Sequence, residues 1–252
     1  VDGAISTRAG NRMIPGRVPS VDTVPREKGR NMSRIAILGG HGKVALLLAR
    51  DLTDSGHQVT SLFRNPEHTD EVAATGADPV VFDLESASTD EIAGRLTGHD
   101  AVVFSAGAGG GSPERTWAVD RDAAIRSVDA ATGAEVRRYV MVSYLGAGPD
   151  HGVDPADGFF AYAESKAAAD AYLRDSTLDW TIVAPGSLTL DEPTGTIEVD
   201  PPAEQGARTG TSRANVALVI AAALATPASV GRTIGFTDGS TPIKTAVATP
   251  AG

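Results

Sequence analysis

The chain has 252 residues, 41% of them apolar, a formal charge of −10 and no cysteine. That length and composition suit one large α/β domain with a substantial core, and the lack of cysteine excludes a disulfide framework, a thiolate metal site and a catalytic thiol. Residues 1–31 hold six basic and three acidic residues, which leaves 16 basic against 29 acidic in the rest. So acidic a body repels a polyphosphate backbone, which argues against a nucleic-acid partner. No run approaches the roughly 18 apolar residues of a membrane-spanning helix, so no transmembrane helix and no membrane partner are expected; the lack of cysteine is compatible with the cytoplasm, the expected location.

Residues 1–31 carry Pro15, Pro19, Pro25 and four glycines without apolar periodicity, the pattern of a disordered extension. Met32 stands directly before the first strand pattern, which points to a natural start there. Residues 34–45 then read RIAILGGHGKVA: a short apolar strand, a glycine-rich turn and the opening of a helix. Such a junction presents backbone N–H groups and a helix dipole to a phosphate. Gly39 suits a tight turn off the strand, Gly42 lets a pyrophosphate approach the backbone, and Ala45 lets helix and sheet pack closely. Lys43 and Val44 begin the helix at the same place. The spacing is GxxGxxA, which an ordinary strand-to-helix turn could also show.

The first helix covers about 43–55 and stops at Gly56, and residues 58–63 alternate as a second strand. Where an NAD-binding unit carries an acid for the ribose 2′-hydroxyl, about 20 residues past the glycines, this chain has Arg64. A guanidinium pairs with a 2′-phosphate, so NADP is favoured over NAD. A helical segment at 67–75 leads to a third strand, 79–84, with Asp83 and Leu84 at its end. A helix at 88–97 precedes a fourth strand that exits through Ser105, Ala106 and Gly107. This alternation calls for a doubly wound parallel sheet with helices on both faces, and all these residues fall at carboxyl ends of strands, where such sheets bind ligands.

A long helix is expected at 114–131 and a fifth strand at 137–146, with Ser143 and Tyr144 at its exit. A helix at 157–174 carries Tyr162 and Lys166, and a sixth strand at 178–186 ends at Pro185 and Gly186. Residues 187–211 read as an irregular substrate-side segment with one short strand at 196–199. A helix at 212–225, a strand at 231–237 and a short helix at 242–248 complete the single domain of residues 32–252.

Tyr162 and Lys166 lie four apart, on one helix face. Reduction of a carbonyl needs a proton donor at the developing alkoxide, and a phenol serves if its pKa, normally about 10, is lowered. A neighbouring ammonium pushes it that way and could also reach the nicotinamide ribose. Ser143 could orient the same substrate oxygen. The five histidines show no metal-ligand spacing, so no metal is expected.

From Met32 to about Val247 the chain resembles the short-chain dehydrogenase/reductase superfamily, in its atypical NAD(P)-binding, epimerase/dehydratase-like branch. GGHGKVA resembles that family's cofactor turn, FRNPEH its segment for the adenosine phosphate, and FDL its adenine-side aspartate. FSAGAG, AVDRDAA, VMVSYLG, YAESKAAADAYLRDSTLDWTIVAPG, SRANVA and GSTPI also resemble family segments. The resemblance implies a Rossmann fold, NADP, and Ser143, Tyr162 and Lys166 in the catalytic positions. It also shows departures: Ala184 replaces the arginine of a Val-Arg-Pro-Gly motif, Ser105 stands where many relatives have asparagine, and Asp120 where better-known branches have asparagine.

The expectation is therefore an NADP-dependent oxidoreductase acting on a small carbonyl, alcohol or sugar-nucleotide-like substrate. An epimerase or dehydratase would use the same three residues, and a non-catalytic NADP-binding redox sensor is the reading from another class. A monomer and a homo-oligomer fit the sequence equally well.

Overall fold

A computed structural model describes residues 1, 3, 32–109, 112–202 and 209–249. The expectation of disorder for residues 1–31 falls almost wholly outside the described residues. In the unit Met32–Gly252, strands β1 (Arg34–Leu38), β2 (Gln58–Phe63), β3 (Asp78–Val81), β4 (Ala101–Phe104), β5 (Arg138–Val142) and β6 (Asp179–Pro185) pair in parallel in the order 3-2-1-4-5-6. The later strand β10 (Arg232–Asp238) adds to β6 in parallel, and β8 (Thr196–Val199) and β11 (Thr241–Pro242) close that edge antiparallel. Two-residue strands β7 (Leu188–Thr189) and β9 (Thr211–Ser212) form a separate ladder. The order reverses between β1 and β4, the switch point at which doubly wound sheets bind ligands.

Alternation along the strands explains the two cores. Ile35 and Ile37 face one side with Val103, Val140 and Val183, under α1 (Lys43–Asp54) and a helix at Arg213–Ala225. Ala36 and Leu38 face the other with Val102, Phe104, Tyr139 and Met141, under the helices between β3 and β6. A strand sandwiched on both faces must be apolar at every position, and β4 is buried at all of its residues. Helix α1 buries Val44, Ala45, Leu48, Ala49 and Leu52, a three-and-four spacing that seats one stripe on the sheet.

Downstream come the short α2 (Thr69–Ala73), α3 (Thr89–Leu96) with its Ser88–Glu91 capping box, α4 (Pro113–Thr116), α5 (Ala124–Gly133) and α6 (Phe160–Arg174). The helix at Arg213–Ala225 is α7, and α8 is Ile243–Ala248.

Three local expectations shift. The single helix expected at 114–131 is broken by a π-helical turn at Trp117–Ala123, a feature common at functional sites. Helix α6 starts at Phe160, three residues later than expected, because the Asp157 carboxylate accepts from Phe159 N at 2.8 Å and closes a turn there. Strand β5 ends at Val142, although Ser143 N and Leu145 N still donate to Val183 O and Pro185 O, each at 2.8 Å.

Candidate functional site

The crest above β1 and β4 is held open by glycine. Gly39 has φ +85°, and a Cβ there would lie 2.5 Å from Ala106 Cα, so the β1 turn touches the β4 exit directly. Gly40, given no role by the sequence, is equally constrained: its Cβ would lie 2.6 Å from that of Ser61. Gly42 is exposed and caps α1 without any side-chain hydrogen bond. The first N–H groups of this 12-residue helix are thus available to an anion.

A cleft of about 310 Å³ runs from this turn across β2, β3 and β4. It collects Gly39, Gly42, Arg64, Asp83, Leu84, Ser105, Ala106 and Gly107. The side chains of Lys43 and Val44 lie elsewhere. Lys43 is exposed beside Leu190 and Asp191, and Val44 is in the core, so these two residues can contribute only backbone at the helix start.

Inside the cleft Arg64, 53% exposed, reaches Glu85 Oε2 at 3.2 Å, and Arg115 Nε reaches the same oxygen at 3.2 Å. Exposed pairs of this kind are worth at most about 1 kcal/mol, so Arg64 can readily exchange Glu85 for a stronger anion. Arg115 also donates to Ala108 O at 3.0 Å, and Arg126 binds the carbonyls of Leu84, Glu85 and Ala87 at 3.0–3.1 Å. No local sequence signal marks either arginine, because each sits on a helix far along the chain from the Glu85 loop it holds. Asp83 accepts from Glu85 N and Ser86 Oγ, both at 3.1 Å, closing its own turn with acceptor capacity left.

His41 and His68, 27 positions apart in sequence, stack here with centroids 3.5 Å apart and planes within 3°, and His41 Nε2 lies 2.8 Å from Glu71. Lone pairs in two parallel planes cannot converge on one ion. The cluster therefore reads as packing at the cleft rim rather than as a metal centre, although sequence spacing gave no sign of the contact.

The second half of the crest lies where β4 and β5 meet α6 and the π turn. Lys166, buried, donates to Val142 O at 3.1 Å and forms an ion pair with buried Asp120 at 3.4 Å. Asp120 Oδ2 accepts from Ala108 N at 2.9 Å, so the π turn ties the β4 exit to the lysine. The ammonium lies 5.7 Å from the centroid of the Tyr162 ring. Burial alone would lower its pKa, but Tyr162, Asp120 and Asp170 outweigh that and hold it up. The lysine is therefore a fixed cation.

Tyr162 departs from the simple expectation. Lys166 does pull the phenol pKa down, but burial, aided by Asp120 and Asp170, is the larger effect and the net direction is up. The resting phenol is held protonated, which suits a proton donor. Ser143 is buried and its hydroxyl donates to Asp170 Oδ2 at 2.7 Å. Burial pushes the Asp170 carboxyl up, while Ser143, Lys166 and Arg174 pull it down and do not win. Tyr144, the next residue, packs against Tyr162 and Phe159, with centroids 5.6 and 5.3 Å away.

A glycine turn, a switch-point cleft and a buried Tyr/Lys pair on one crest define an NAD(P)-binding Rossmann protein. The NAD(P)H-binding family matches residues 39–227, and the chain belongs to that family. It is 36% identical over 217 residues to a UPF0659 protein of Saccharomyces cerevisiae, covering 84% of this chain and 96% of that one. It is 32% identical over 216 residues to an uncharacterized sugar epimerase of Bacillus subtilis, covering 85% and 98%. Among solved structures, a candidate NAD-dependent epimerase/dehydratase from Bacillus halodurans superposes with a TM-score of 0.77 at 32% identity, over 85% of this chain and 98% of that one. An oxidoreductase from Lactococcus lactis gives 0.74 at 30% identity, over 85% and 94%. Among the described residues no helix is long and apolar enough to cross a membrane.

Proposed function

We propose that the protein is an NADP(H)-dependent oxidoreductase of the short-chain dehydrogenase/reductase type, acting on a small carbonyl, alcohol or sugar-nucleotide-like substrate. The observation that carries this reading is the buried Lys166 ammonium beneath Tyr162, at the carboxyl end of the same sheet whose first turn opens an uncapped helix N-terminus.

The residues present fit a dinucleotide. The α1 N–H groups would take the pyrophosphate, Asp83 and Leu84 the adenine edge, and Arg64 a 2′-phosphate once released from Glu85. When bound, such a group supplies or accepts the hydride. Tyr162 delivers the proton to the developing alkoxide, and Lys166 stabilises the phenolate left behind. Asp120 fixes the lysine and, through Ala108 N, the loop over the cofactor. The names carried by the Bacillus relatives favour, as a second reading, an epimerase or dehydratase that returns the hydride to the same substrate.

The test is NADPH consumption over a panel of aldehydes, quinones and sugar nucleotides. Tyr162→Phe should lose about 10²–10⁴-fold in turnover while its NADPH dissociation constant stays within about twofold. Undiminished turnover would remove Tyr162 from the mechanism, and binding without any consumption by the unmodified protein would point to a redox sensor.

A further inference from the structure

The catalytic end of the crest contains a hydroxyl that nothing satisfies. Among the described residues the Tyr144 hydroxyl oxygen is buried and has no hydrogen-bond partner. A buried phenol normally finds one. By contrast Tyr139, wholly buried in β5 five residues earlier, is paired with Ser127 Oγ at 2.6 Å. The orphaned phenol stands beside the proton-donating phenol, with ring centroids 5.6 Å apart.

Ser143 and Tyr144 follow the end of β5 and meet α6 two turns apart, at Asp170 and at Tyr162. Ser143 keeps the side of Tyr139 and Met141, toward α6, where it is closed in and bound to Asp170. Tyr144 turns toward the Tyr162 ring, tilted 38° to it, with Phe159 edge-on at 82°. Phe159 is 44% exposed and forms the outer wall of the aromatic group. Ser143, expected to orient the substrate oxygen, is thus engaged by Asp170, and Tyr144 stands against Tyr162.

We infer that the Tyr144 hydroxyl is the second donor to the substrate oxygen, paired with Tyr162 across one carbonyl or alkoxide, while Ser143 and Asp170 brace the strand exit that carries it. This inference rests on the oxidoreductase reading above. The balance is simple: Tyr162 transfers its proton to the substrate oxygen, and Tyr144 donates a hydrogen bond to that oxygen without losing its own proton. Burial, then Tyr162 and Asp170, hold the Tyr144 phenol above its ordinary pKa, which keeps it a donor. Two donors aimed at one developing charge act as an oxyanion hole.

The experiment compares full-length Tyr144→Phe, Ser143→Ala and Tyr162→Phe in melting temperature and in NADPH oxidation with 9,10-phenanthrenequinone and 4-nitrobenzaldehyde. Tyr144→Phe should lower kcat about a hundredfold with little change in the KM for NADPH. Its melting temperature should be unchanged or higher, because only an unpartnered oxygen is removed. Ser143→Ala should melt lower and lose less kcat than Tyr144→Phe. A lower melting temperature for Tyr144→Phe, or unmodified kcat in that variant while Tyr162→Phe is inactive, would overturn the assignment and leave the oxidoreductase reading standing. An active Tyr162→Phe, or no consumption by the unmodified chain, would overturn both.

Discussion

The two ends of the crest are built from opposite materials. At the cofactor end the groups are backbone N–H donors at α1 and exposed side chains, with Arg64 lightly held by Glu85. At the catalytic end one ammonium and two carboxylates, those of Lys166, Asp120 and Asp170, are nearly wholly buried. Charges in water can be changed at small cost, whereas buried charges lean on one another. Substitutions at the cofactor end should therefore alter binding and leave the fold intact, and substitutions at the catalytic end should alter both.

The sharpest break in that contrast comes from Lys166→Met. It strands Asp120 in the interior, which costs about 3–5 kcal/mol and lowers the melting temperature by on the order of 10 °C for a domain of this size, besides removing turnover. Calorimetry checks it. At the other end, Arg64→Ala should weaken NADPH binding roughly tenfold, the worth of a charge-assisted hydrogen bond, with NADH binding and the melting temperature unchanged. Equal losses for the two dinucleotides would remove the 2′-phosphate argument.

The Asp170 carboxyl gives a pH signature to the buried end. Its folded pKa is raised above the ordinary 3.8, chiefly by burial, so between those values the folded state holds more proton than the unfolded one. Stability is then full below about pH 4 with respect to this group and declines as pH rises through the raised value. Asp170→Asn should flatten that decline in denaturation midpoints measured from pH 4 to 8, and an unchanged slope would assign it to another group. The smallest effect belongs to Glu85→Gln, which frees Arg64 and should tighten NADPH by a few-fold at low salt, an effect that fades as salt rises.

Much of this was legible in the sequence. The apolar runs, the glycine turn and the placement of Arg64, Asp83 and Ser105–Gly107 followed from strand–helix rhythm, because a parallel sheet brings every strand exit to one edge. The Tyr162–Lys166 face followed from helical spacing. What escaped depends on which way a side chain leaves a strand end, or on partners distant in the chain. Ser143 and Tyr144 are indistinguishable as neighbours until the chain beyond β5 sets one against Asp170 and the other against Tyr162. Arg115, Arg126 and the His41–His68 stack join loops 27 to 42 positions apart. The π turn that aims Asp120 at Lys166 breaks a helix whose periodicity reads as continuous.

Both ends of the crest require one dinucleotide lying along its whole length. Fluorescence titration of the full-length chain with NADPH and NADH measures that most directly. A single saturable NADPH site per chain, weaker for NADH and losing its preference in Arg64→Ala, is the result expected. Absence of saturable binding by either dinucleotide would contradict it.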